Sequence, residues 1–252
     1  RTLTMGIAKK IRKWQNKRAR KSAFQAEFER FSALARAAVG RLSVEWEDRY
    51  PCLDDRTGQT GFDRHYIYHT AWAARVLART RPARHVDISS SLYFSSLVSA
   101  FVPVDFYDYR PADLQLENLN SRQADLLKLP FADGEVKSLS CMHVVEHVGL
   151  ARYGDPMDVD GDLKAVAELR RVLAPGGDLL FVVPVGKPRV QFNAHRIYGY
   201  AQVVAFFPGL QLVEYALIPD KAEQGHLLVG ASEALTDSQK YACGCFWFRR
   251  PK

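Results

Sequence analysis

Residues 163–185 read LKAVAELRRVLAPGGDLLFVVPV, and this stretch decides the fold. Leu163, Val166, Ala167, Leu169, Arg170 and Leu173 recur at helical spacing, so the first half is a helix with one face turned inward. Ala174-Pro175-Gly176-Gly177 stops it. Asp178 to Val183 is then a nearly unbroken apolar run, as expected of a strand covered on both faces.

Working outward, the same alternation repeats upstream. His85–Ser89 is expected as a strand, Leu92–Phe101 as a helix, Val102–Asp108 as a strand, Asn118–Ala124 as a weaker one and Val136–Met142 as another. Alternating βα units imply a parallel sheet with helices on both faces. Tyr66–Thr80, with Trp72, Val76 and Leu77, is expected as a preceding helix. Downstream, a helix around Tyr198–Phe207 leads into two runs, Leu210–Ile218 and Gly225–Ser232. The connection between them is too short for a parallel crossover, so they should pair antiparallel. The expectation is a Rossmann-like α/β sheet, five parallel strands plus an antiparallel C-terminal pair, over residues 61–252.

Residues 1–60 read as a helical extension and linker. Large apolar residues at Ile7, Ile11, Trp14, Phe24, Phe28, Phe31 and Ala35 step by three and four through Met5–Ala38, among Lys9, Lys10, Arg12, Lys13, Lys17, Arg18, Arg20 and Lys21. Of the net charge of +7, residues 1–30 carry +8 (ten Lys or Arg against Glu27 and Glu29), which leaves −1 for the rest. A helix of this kind can lie on an anionic membrane surface or pack on its own domain. The localised charge argues against a nucleic-acid-binding surface. No apolar run approaches the roughly 20 residues of a membrane-spanning helix, and no leader peptide is expected. Cys52, Cys141, Cys243 and Cys245 form no disulfide framework, which fits a cytoplasmic protein; Cys243-Gly244-Cys245 is a C-x-C, short of a paired metal motif.

In an open parallel sheet, ligands bind beyond the carboxyl ends of the strands. Those ends are Asp87 with Ser89-Ser90-Ser91, Asp108, Asp125-Leu126, and Met142-His143. A turn of small residues admits a ligand close to backbone; an acid ending the second strand can accept from a ribose diol, and one after the third from an adenine amino group. Taken singly each acid is more often a turn or cap residue. Jointly they describe an adenosine site.

LRRVLAPGGDLLFVVP (169–184) and LPFADGEVKSLSCMHVVEHV (129–148) resemble segments of the class I S-adenosylmethionine-dependent methyltransferases, and DISSS, HVVEHVGLARYGDP, DGDLK and FNAHRIY resemble a domain-of-unknown-function family first described from nematode and bacterial proteins. The resemblance spans roughly Phe62–Ser232. It implies S-adenosylmethionine as cofactor, held by Asp87, Ser89, Ser90, Ser91, Asp108, Asp125, Leu126, Met142 and His143. The chain departs from the superfamily where serines replace the glycines of the first loop, and serine tolerates positive φ poorly. A degenerate domain serving as a binding scaffold is therefore a second reading.

For the chemistry, SLSCMHVVEHVGLARYGDP (138–156) packs His143, Glu146, His147, Arg152, Tyr153 and Asp155 into a few turns. His147 is the first candidate for a base that deprotonates a hydroxyl acceptor, with Glu146 and His195 as catalytic partners. Tyr153, Asp155, Asn193 and Arg196 are candidate acceptor contacts, and Tyr66 and Tyr68 candidate covers. The polar set suits a sugar or glycan hydroxyl, and the resemblance, to a superfamily with branches that act on surface polysaccharides, implies O-methylation in polysaccharide synthesis. His143-Val-Val-Glu146-His147 also matches the inverted zinc-protease pattern H-x-x-E-H, which needs a sustained helix to bring both histidines to one metal. No metal is assigned from sequence.

Overall fold

The computed structural model describes residues 2–252, with the side chains of residues 2–11 and 13 left aside. The chain forms two compact units, residues 1–61 and 62–252.

The first unit is built on α1 (Thr2–Ala37), a proline-free helix of 36 residues. Phe24 and Phe28 pack on Trp46, the Phe28 ring 4.8 Å from it and edge-on. Arg56 forms a two-pronged ion pair with Glu27. Trp14 and Phe31 are 60% and 61% exposed, so the apolar face expected to run through both is not a buried one. Ile7 and Ile11, also assigned to that face, and Lys9, Lys10 and Lys13 lie outside the described side chains.

The second unit opens with α2 (Arg64–Thr80), whose N-cap Asp63 accepts from the Tyr66 N–H. Trp72, Ala73, Val76 and Leu77 bury one face of it. There follow β1 (His85–Ile88), α3 (Leu92–Val98), β2 (Val104–Asp108), β3 (Leu119–Gln123), β4 (Val136–Met142), α4 (Gly161–Val172), β5 (Leu173–Val185), β6 (Arg189–Gln191), β7 (His195–Ile197), α5 (Tyr200–Phe206), β8 (Gln211–Ile218), β9 (Leu228–Val229), α6 (Glu233–Asp237) and β10 (Ala242–Arg249). The main sheet runs β3-β2-β1-β4-β5-β10-β8-β9, and β6 and β7 form a separate ribbon.

β1 to β5 are parallel. Along β5, Leu179, Phe181 and Val183 enter one core layer while Leu180 and Val182 enter the other. Such a strand must be apolar at every position, which is why its sequence does not alternate. The antiparallel element differs from expectation. β8 and β9 do pair, but through only two residue pairs. The strand inserted antiparallel between β5 and β8 is β10, with Ala242–Arg249 against both neighbours. No strand is expected there from the sequence, and its two cysteines prove to be core residues.

The strand order reverses between β1 and β4, where β2 and β3 lie on one side and β5 on the other. That is the crevice where a sheet of this type takes ligands. β8 points the same way as β1, β4 and β5, because β10 is antiparallel to both β5 and β8. Its end therefore reaches the same rim.

Candidate active site

A cavity of about 1030 Å³ opens at this rim. Its floor is Ser89, Ser90 and Ser91 after β1 and Met142 and His143 at the end of β4; its walls are Glu146, His147, Arg152 and Tyr153, the β6–β7 turn at Asn193–His195, Asp220, Tyr241 and the entry into α2 from Phe62 to Tyr66. Of the residues picked from sequence, Ser89, Ser90, Ser91, Met142, His143, Glu146, His147, Tyr153, Asn193 and His195 meet here, as does the candidate cover Tyr66.

The others stand elsewhere. Asp87 is fully buried beneath the floor, accepting from Ser95 Oγ at 2.6 Å and Ser140 Oγ at 2.5 Å. Burial raises its pKa to about 6. It shapes the loop rather than lining the cavity. Asp108 and Asp125 end neighbouring strands, since Asp108 is in register with Gln123 and its carbonyl accepts from Ala124 N–H at 3.0 Å. Each carboxylate also caps its own turn, Asp108 from Arg110 N–H at 2.7 Å and Asp125 from Leu127 N–H at 2.8 Å. Leu126 is a buried core residue.

Asp155 and Arg196 differ from their expected role as acceptor contacts. Asp155 accepts from the Gly149 and Tyr153 N–H groups. Arg196, 7% exposed, donates to the carbonyls of Val148 and Val159 and lies 3.5 Å from Asp162. Asp155 ties the loop 148–160 to itself, and Arg196 fastens it to β7. Gly149 needs no side chain there: its φ is +79°, and a Cβ would sit 2.1 Å from the Asp158 carbonyl oxygen.

The histidine geometry is specific. After β4 the chain makes a single 3-10 turn, Val145–His147, entered through His143 at φ +58°. No α-helix carries His143 and His147, so the H-x-x-E-H arrangement does not form. His143 Nδ1 instead lies 2.8 Å from Glu146 Oε1. Burial lowers His143 to about 4 and raises Glu146 to about 7, so this contact is a hydrogen bond to a neutral imidazole rather than an ion pair. His143 Nε2 and Glu146 Oε2 are buried without partners among the described residues.

His147 Nδ1 is 2.6 Å from the Ala194 carbonyl oxygen. A carbonyl only accepts, so Nδ1 carries the proton and Nε2 offers its lone pair. Burial lowers the His147 pKa, which keeps the ring neutral near pH 7. Arg152 also donates to Ala194, at 3.0 Å, and its guanidinium lies 5.1 Å from the Tyr153 ring. His195 stacks on Tyr241 at 4.7 Å. A neutral base with a fixed tautomer beside a buried carboxyl group can take a proton from a hydroxyl acceptor.

Asp63, Arg64, His65, Asp220 and Tyr241 also line the cavity, with no signal in the sequence to mark them. None sits in a local motif; α2 and the ends of β8 and β10 bring them in from far along the chain. Among the described residues, the His, Cys, Asp and Glu side chains grouped closely enough to share a metal are His65, His143 and Cys243, whose ligand atoms lie within 4.8 Å of one another.

Two family models match. "Methyltransferase domain" covers residues 71–181, and "Caenorhabditis protein of unknown function, DUF268" covers residues 133–237. No curated protein matches the sequence. Among solved structures, the chain is similar to the 1,6-didemethyltoxoflavin-N1-methyltransferase of Burkholderia thailandensis, solved with S-adenosylhomocysteine (11% identity, TM-score 0.54, 73% of this chain and 79% of that one). It is also similar to the N-methyltransferase NodS of Bradyrhizobium japonicum, solved with the same compound (16% identity, TM-score 0.51, 88% and 98%). A third similar structure is SpnF, a cyclase (13% identity, TM-score 0.50, 72% and 81%). The sheet order, the two matched segments and these structures together give the chain the class I methyltransferase fold and bear out both of its sequence resemblances.

Proposed function

We propose that the chain is an S-adenosylmethionine-dependent O-methyltransferase with His147 as base. The observation that carries this is the meeting of Ser89–Ser91, Glu146, His147 and His195 in one cavity at the carboxyl ends of β1 and β4. The residues present fit the cofactor. Ser89 takes φ +54°, the conformation a glycine would supply, so the first loop keeps its turn despite the serine. We read Asp108 and Asp125, on adjacent strands outside the cavity lining, as the acids that would accept from the ribose and the adenine. When bound, the cofactor supplies an electrophilic methyl group.

The chain's own residues do the rest. His147 Nε2 accepts the acceptor's hydroxyl proton while Ala194 holds Nδ1–H in place. Glu146 Oε1, 3.8 Å from that Nε2, stabilises the imidazolium as it forms. For the acceptor we infer a sugar hydroxyl: aromatic Tyr66, Tyr153 and Tyr241 and polar Asn193, Asp63 and Asp220 line one cavity, the mixture of partners a pyranose takes. The basic stretch 9–21 would bring the protein to an anionic membrane surface carrying such glycans.

Calorimetric titration with S-adenosylmethionine is expected to give one site, weakened in Asp108→Ala. Tritiated methyl transfer into fractionated lysate should then label glycan, with His147→Ala slowing transfer about 100-fold at unchanged donor affinity. Absence of binding heat would leave a binding scaffold as the surviving reading. Label confined to protein or RNA would remove the sugar. Removal of residues 5–21 should abolish cosedimentation with anionic vesicles; unchanged cosedimentation would refute the membrane contact.

A further inference from the structure

We propose that His65, His143 and Cys243 form a site for one zinc-class divalent cation, with Glu146 as the carboxylate that orients His143 and an open coordination position facing the cavity. The three residues come from the first turn of α2, the residue after β4, and β10. One ring nitrogen of each histidine and the Cys243 sulfur lie within 4.8 Å of one another. Zinc bonds of about 2.0 to 2.3 Å place tetrahedral ligand atoms roughly 3.3 to 3.8 Å apart, so small side-chain movements close the site.

The second observation is independent of that grouping. The His143 side chain is 6% exposed, its Nδ1 faces Glu146 Oε1 at 2.8 Å, and its Nε2 is buried with no partner among the described residues. Carboxylate, imidazole and an unpaired second nitrogen are the arrangement by which proteins orient a metal-bound histidine. An orphaned imidazole nitrogen otherwise costs free energy, as does the equally unpartnered Glu146 Oε2. A cation bound at Nε2 removes the first of these costs. It supplies His143 with a ligand bond and places positive charge near a carboxyl group that is 1% exposed.

Backbone geometry points the same way. His143 holds a left-handed φ of +58°, a conformation sparsely used by non-glycine residues and concentrated at functional sites. The His65 and His143 rings lie parallel within 4°, their centroids 5.9 Å apart. His69 packs edge-on against His143, and its Nδ1–H donates to the His65 carbonyl, fixing the turn that presents His65. Two nitrogens and a thiolate select zinc and its soft or borderline neighbours over magnesium or calcium. Three protein ligands with a fourth position open are the pattern of a reactive rather than a structural zinc. The site shares His143 with the H-x-x-E-H pattern but takes His65 and Cys243 in place of His147 as ligands, and it stands whether or not the chain transfers methyl groups.

The test is metal content and affinity of the full chain. After incubation with zinc and exhaustive dialysis, about one zinc per chain is expected. Competition against a chromogenic chelator should show affinity falling at least tenfold in His65→Ala, His143→Ala and Cys243→Ser, and 10- to 100-fold in Glu146→Gln, but unchanged in His147→Ala. Cobalt(II) should give a thiolate-to-metal absorption band that Cys243→Ser removes. Because Cys243 is a core residue whose replacement can unfold the chain, the partly exposed His65 provides the second variant. Zinc-free protein after dialysis, zinc retained by His65→Ala, or zinc lost in His147→Ala would each overturn the proposal.

Discussion

Ser89 holds a left-handed backbone (φ +54°) at the position where the superfamily's first loop is usually glycine. Its N–H donates to the Tyr107 carbonyl at 2.7 Å and its hydroxyl to the same oxygen at 3.1 Å. Those bonds offset part of the strain of roughly 1 to 3 kcal/mol that a side chain bears in this region. Ser89→Gly trades strain against unfolded-chain entropy and one hydrogen bond, so its stability should stay within about 0.5 kcal/mol of the parent. Ser89→Val, β-branched and without a hydroxyl, should cost about 2 kcal/mol. Urea midpoints of the two variants check this, and a valine variant as stable as the glycine one would refute the strain. The serine loop was legible from sequence as a departure; that the backbone keeps the glycine conformation was not, because φ is set by β1, β2 and the loop together. Asp108 and Asp125 show the converse. Their place at strand ends was readable, yet each caps its own turn, so turn chemistry and a ligand-binding role leave the same residue in the sequence.

The loop from Gly149 to Asp160 and the strand β10 mark where local pattern stopped being informative. The loop is closed on itself by Asp155 and by the passage of the chain at Asp158 over Gly149, and is held from outside by Arg196. Asp155 and Arg196 look functional by type and proximity, and only burial and partners reveal that they fasten the loop. Gly149→Ala would drive a methyl group into the Asp158 carbonyl while retaining a positive φ, and should cost about 3 kcal/mol or detach the loop. Faster proteolysis within 150–160 is the expected signature, and an unchanged cleavage rate would refute the close approach. β5 was plain because a strand covered on both faces must be continuously apolar. β10 was not, since the order of strands in a sheet is a long-range property. Cys243 becomes a neighbour of His143 only once β10 is threaded between β5 and β8.

Stability across pH joins several of these parts, because β1, β4 and α3 are tied by one buried polar chain. His85 lies between Ser138 Oγ and Ser140 Oγ, each at 2.8 Å, and Ser140 and Ser95 both donate to Asp87. Burial lowers His85 from 6.5 to about 3 and raises Asp87 from 3.8 to about 6. The two act with opposite sign. An unfolded His85 binds a proton below pH 6.5 that the folded one refuses, so stability is lost as pH falls from about 6.5 toward 3. A folded Asp87 keeps a proton that the unfolded one has released, so stability is gained as pH falls from about 6 toward 3.8. Between about pH 6 and 4 the two nearly cancel, and the parent protein should be insensitive to pH as far as this pair is concerned. His85→Gln removes one side of the balance. It should cost about 2 kcal/mol at pH 7 by breaking buried hydrogen bonds. The deficit should then shrink as pH falls from 6 to 4, by up to about 1.4 kcal/mol per pH unit. Chemical denaturation of parent and variant at pH 7, 6, 5 and 4 measures that difference directly; a deficit constant across the series would mean that His85 and Asp87 do not titrate as buried partners.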